Sequence, residues 1–186
     1  MLEARPSKRT GAEHFANDMR FDIVAGERTL GRLVSDRKRL GAAFDLDGST
    51  FSVEHTPGAE SELVYQAVAR LVTRAPKPQP DRYELKDAGG AVLAMAEQTR
   101  EVFSVSLGEA RYCFAKGRSR LLFDLTRDGE ARPLGAVGQR RFWTIRMHMD
   151  LPDALPAAFQ VFLLALLLAL ITQRAQRSDG IPPVTP

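Results

Sequence analysis

The chain has 186 residues, 44 % of them hydrophobic and 26 % charged, which fits one globular domain with a substantial core. The formal net charge of +3 is a mild excess spread along the chain, so a solvated basic surface accounts for most of it. Cys113 is the only cysteine, which excludes an intrachain disulfide and a Cys-based zinc site.

Residues 1–18 show no periodicity and contain no apolar core of the roughly 7–15 residues that a secretory signal needs. They read as a disordered tail, and the expected location is cytoplasmic. A recurring pattern then begins. Phe21-Asp22-Ile23 is followed by Gly26 and Leu30-Gly31; Phe44-Asp45-Leu46-Asp47-Gly48 by Phe51 and Val53. Tyr83-Glu84-Leu85 is followed by Gly89, Gly90 and Leu93; Phe123-Asp124-Leu125 by Gly129 and Leu134-Gly135. Alternation puts the aromatic and aliphatic residues on one face and the acid on the other, while glycine supplies the positive φ of a tight turn. Each unit therefore predicts a β-hairpin.

The gaps hold further strands. Phe103, Val105 and Leu107 alternate, as do Tyr112 and Phe114 beyond a turn at Gly108, and Ile145, Met147 and Met149. Residues 62–73 fit a helix by spacing, but their β-branched content favours a strand. Residues 75–81 (APKPQPD) form a stiff connector within one domain.

Residues 155–171, LPAAFQVFLLALLLALI, are the long apolar run, with Gln160 as its single polar residue. Asp153 is a candidate N-cap, and Pro156 suits a first turn. The run is short for a bilayer, since residues 157–171 span about 22 Å as a helix against a hydrocarbon core of about 30 Å. A helix apolar on every face must be surrounded, and a closed barrel surrounds it. The expected architecture is a mainly β protein: a closed antiparallel barrel of about twelve strands over residues 19–175, around one central helix at about 154–173. Residues 176–186 read as a second disordered tail.

The hairpins YELKDAGGAVLA and FDLTRDGEARPLG, a strand, and then DLPDALPAAFQVFLLALLLALI resemble the tubby C-terminal-like superfamily. The nearest branch is that of bacterial proteins related to the plant LURP-one and phospholipid scramblase groups. The resemblance covers residues 20–175. It implies the same barrel with a hydrophobic central helix, and a lysine- and arginine-based affinity for phosphoinositide headgroups. No residue-by-residue match to the family's headgroup site is present. The acidic calcium segment and Cys-rich stretch of scramblases are also missing, so scrambling is not carried over.

FDLDG with Ser49 and Thr50 also matches the nucleophile motif of haloacid-dehalogenase-type phosphatases, where paired aspartates attack phosphorus and hold Mg²⁺. That chemistry needs a parallel sheet and a later acidic cluster. The same aromatic-acid-aliphatic unit recurs elsewhere in this chain, so the match has a simpler source. His14, His55 and His148 lack ligand spacing and read as tail or strand residues, and Cys113 as an ordinary strand residue.

The basic clusters Arg37-Lys38-Arg39, Lys116 with Arg118 and Arg120, and Arg140-Arg141 each fall near a turn or strand end, where one end of a barrel could gather them into an anion site. Aromatic residues do not interleave with them, so no nucleic acid is expected. No cofactor or catalytic constellation is predicted. The leading expectation is a non-enzymatic binding or scaffold module that meets anionic membrane lipid headgroups peripherally. A single-pass protein with residues 155–172 in the bilayer is the alternative, and a Mg²⁺-dependent phosphatase the third reading.

Overall fold

The computed structural model describes residues 1–7, 18–58, 79–117, 119, 122–139 and 146–179. These residues hold twelve strands: β1 (Leu2–Pro6), β2 (Asp18–Ala25), β3 (Arg28–Asp36), β4 (Gly41–Leu46), β5 (Ser49–Thr56) and β6 (Asp81–Asp87). The second half supplies β7 (Val92–Thr99), β8 (Val102–Leu107), β9 (Ala110–Lys116), β10 (Leu122–Arg127), β11 (Gly135–Gly138) and β12 (Met147–Asp150). Each strand pairs antiparallel with its neighbours in sequence, and β1 pairs with β12 to close the barrel. Helix α1 (Ala157–Asp179) follows.

Alternation builds the wall. Phe21, Ile23, Leu33, Phe44, Leu46, Val53, Leu85, Phe103, Val105, Phe114, Phe123, Leu125 and Met149 all point inward and are buried. Their neighbours Asp45, Glu54, Ser104 and Cys113 point outward, as period-two geometry requires. Against this lining stand Phe159 to Leu170, buried without a break, so the apolar run fills the lumen from every side. At ~1.5–3 kcal/mol for each large buried apolar side chain, this shared core is the main favourable term in the fold. Gln160 keeps its place in the core because its amide donates to the Leu155 carbonyl at 3.0 Å.

The recurring units are the predicted hairpins. In the β4–β5 turn Asp47 and Gly48 have φ of 46° and 83°, the double positive φ of a type I′ turn that matches strand twist. The repeated Leu-Gly pairs have a different cause. A Cβ on Gly31 would collide with the Asp45 carbonyl, and one on Gly135 with the Asp150 carbonyl, so glycine permits close approach of the adjoining strand.

Three expectations need correction. Residues 2–6 are not part of a disordered tail: β1 pairs with β2 and β12, and buries Leu2 and Ala4. Five residues are too few for a periodicity signal, and only the two partner strands reveal them as a stave. Asp153 is not the N-cap, because it lies in the turn before α1 with its side chain 95 % exposed and 3.6 Å from the Met1 ammonium. The first helical bond instead runs from the Gln160 N–H to the Pro156 carbonyl. Finally, α1 runs past residue 173 to Asp179, because Gln173, Arg174 and Gln176 find partners on the barrel rim. Residues 62–73 lie outside the described residues.

Candidate functional site

The up-and-down order gives the barrel two distinct ends. Helix α1 enters beside the tight hairpin turns at Gly26, Gly48, Gly90, Gly108 and Gly129, and its C-terminus leaves at the opposite mouth. We call these the hairpin end and the exit end.

At the exit end the helix is tied to the wall by a buried polar cluster. Gln98, near the end of β7, donates through Nε2 to the Gln173 Oε1 at 2.8 Å and to the Arg100 carbonyl at 2.8 Å. The Tyr83 hydroxyl donates to the Gln98 Oε1 at 3.0 Å. Gln173 Nε2 donates in turn to the Tyr83 hydroxyl at 3.2 Å and to the Asp81 Oδ2 at 3.3 Å. The Gly58 N–H holds the other Asp81 oxygen at 2.7 Å. Burial, aided by the Asp81 charge, pushes the Tyr83 phenol well above the ordinary tyrosine range, against the smaller lowering from its hydrogen bond to Gln173. Tyr83 therefore stays neutral. His55 lies at the same rim, its ring 4.7 Å from that of Tyr83 and its Nε2 3.7 Å from Asp81. The cluster satisfies buried polar groups and sets the depth of the helix in the lumen. Residues this far apart in sequence carry no local pattern. The one available signal was Gln173, the first amide after the apolar run.

Around this plug lie cationic side chains. Arg37, Lys38 and Arg39 form the β3–β4 turn, with Lys38 and Arg39 exposed. Lys116 ends β9 and is exposed; Arg100 occupies the β7–β8 turn at φ 59°. Arg174 pairs with Glu101 at 2.7 Å, and the Gln176 amide donates to the Arg37 carbonyl at 3.2 Å. The emerging helix is thus braced between two basic turns. Among the described residues Arg39 pairs with the exposed Asp36 at 3.9 Å, a contact of little energetic weight. Of the residues expected to form an anion site, Arg37, Lys38, Arg39 and Lys116 share this end, and Arg100 joins them although sequence reading passed over it. Arg118, Arg120, Arg140 and Arg141 lie outside the described residues.

FDLDG is the β4–β5 hairpin, with Asp45 directed outward and Asp47 bound to Arg28 at 2.6 Å. The sheet around it is antiparallel, not the parallel sheet that the phosphatase reading requires. Among the described residues no three His, Cys, Asp or Glu side chains are grouped to hold a metal ion. His148 lies on the outer face, 3.7 Å from Glu3. Cys113 is exposed in a trough of about 400 Å³ on the outer wall, shared with Arg82, Glu97, Ser104 and Arg111. The trough mixes both signs of charge and lies apart from the basic turns.

Comparison with protein-family models, with curated proteins and with solved structures returns no match.

Proposed function

We propose that this protein is a non-enzymatic binding module of the tubby-like class that associates with anionic phospholipid surfaces. The observation that carries the reading is the collection of Arg37, Lys38, Arg39, Arg100 and Lys116 around one mouth of the barrel. Exposed cations near an anionic bilayer contribute about 1 kcal/mol each, so a handful suffices for reversible association. The class is supported by architecture: a closed twelve-strand barrel with one C-terminal apolar helix is what the resemblance implies.

The stretch Ala157–Gln176 is also long and apolar enough to cross a membrane, and 78 % of it is buried inside the barrel. Anchoring through it would require the helix to leave that core.

The test is co-sedimentation of the full chain with vesicles of phosphatidylcholine alone and of phosphatidylcholine with phosphatidylserine. Binding to the anionic vesicles only, weakening as salt rises, is the expected result. Equal binding to both, or none to either, refutes the reading. Protein that resists alkaline carbonate extraction from cell membranes would replace it with the anchored form.

A further inference from the structure

The barrel is electrically polar along its axis. Beyond the basic turns of the exit end, the hairpin end carries acids: Glu27, Asp47, Glu109, Asp128, Glu130 and Asp153, all exposed. Cations stand among them, with Arg28 bound to Asp47 and Arg111, Arg127 and Arg132 near the turns, so the acids are in modest excess; at the exit end Arg37, Lys38, Arg39, Arg100, Lys116 and Arg174 outnumber Asp36, Asp81 and Glu101 among the described residues. The arrangement opposes the helix macrodipole at both ends, acids near the N-terminus of α1 and cations near its C-terminus. From Phe159 to Gln173 the helix rises about 21 Å, more than two Debye lengths of ~8 Å at physiological salt. An anionic surface at one end is therefore screened from the charges of the other.

We propose that the protein docks end-on, with the exit end against an anionic bilayer, the axis of α1 along the membrane normal and the acidic hairpin end facing away. The inference rests on the anionic-lipid reading above and adds the face and the orientation. A planar partner fits because the cations lie on separate turns distributed around a mouth that the helix plugs: β3–β4, β7–β8 and the end of β9. A nucleic-acid strand calls for aromatic stacking platforms along a basic groove, and aromatic residues do not interleave with these basic turns. Orientation follows from sign. Laying the barrel on its side would bring acids of the hairpin end within a Debye length of the lipid phosphates, while the end-on pose removes them.

The experiment compares three full-length variants on phosphatidylcholine–phosphatidylserine vesicles, after circular dichroism shows wild-type folding. The first is K38Q/R39Q/K116Q at the exit end, the second E27Q/E109Q/E130Q at the hairpin end, and the third R32Q, at an exposed mid-strand position of β3 on the outer wall. Removing three exit-end cations is expected to weaken binding about a hundredfold, at roughly fivefold per charge. The hairpin-end and wall variants should stay within about twofold of wild type. Tighter binding of the hairpin-end variant, or a loss of about fivefold in R32Q, would establish side-on docking and overturn the proposal. Wild-type binding that survives the triple exit-end substitution overturns it too, while leaving the lipid reading intact. Failure of wild type to bind at all removes the lipid reading itself. Displacement from vesicles by equimolar duplex DNA, with the same variant ranking on DNA, would assign the face to nucleic acid and overturn the membrane assignment.

Discussion

Replacing Leu166 by arginine tests whether α1 lives in the barrel. Leu166 is fully buried at the middle of the lumen, ~13 Å along the helix from Ala157 and ~10 Å from Gln173. An arginine there cannot bring its guanidinium to either mouth. Among the described inward-facing side chains at this depth the lining is apolar, so no carboxylate is placed to receive it. The uncompensated ion costs several kcal/mol, and loss of the leucine packing adds about 3 kcal/mol more. The sum, about 6–8 kcal/mol, is comparable to the whole stability of a domain in the lower half of the usual ~5–15 kcal/mol range. We expect Leu166→Arg to be unfolded or aggregated by circular dichroism and size exclusion. Leu166→Met should lose less than about 1.5 kcal/mol in urea titration. If α1 instead lay in lipid, the barrel would fold without it and the arginine variant would yield a folded domain that no longer partitions with membranes. A soluble Leu166→Arg protein with the wild-type urea midpoint would refute the lumen argument.

Deletion of residues 1–6 should open the barrel between β2 and β12, exposing Phe21 and Met149 and two unpaired strand edges. Dimerisation or aggregation on size exclusion, with faster amide exchange in β2 and β12, is the expected outcome; unchanged exchange would show that β1 is dispensable. In the rim cluster, Gln98→Leu and Gln173→Leu should each cost about 1–3 kcal/mol by stranding a buried partner. The double variant should cost less than their sum, because both members of that hydrogen bond are then gone. Strict additivity in urea titrations would show the two amides to be independent. Tyr83 makes an alkaline prediction. Its folded pKa is raised above the unfolded value near 10, so the unfolded chain loses the proton first, and the contribution is intact below pH 10 and lost as pH rises above it. Stability should fall by up to about 1.4 kcal/mol per pH unit from this group, a slope that Tyr83→Phe removes.

What the sequence determined by itself was the strand alternation, the hairpin turns and the apolar run. The alternation of Phe21-Asp22-Ile23, Tyr83-Glu84-Leu85 and Phe123-Asp124-Leu125 dictates which face of each strand is apolar. The glycines mark turns, and residues 155–171 are apolar on all sides. Those facts together call for surroundings that enclose the helix, a closed wall or a bilayer, and the run's short length favours the wall. What only the tertiary structure decided is non-local. The stave β1 exists because β2 and β12 leave a gap that five residues fill. Gln98, Tyr83, Asp81 and Gln173 become one cluster only when the helix is threaded to a particular depth, with Gln98 and Gln173 separated by 75 positions. The sequence likewise shows basic runs and scattered acids. Their sorting onto opposite ends follows from strand order, because in an up-and-down barrel alternate connections share an end, and charge acquires a direction only once that order is laid down.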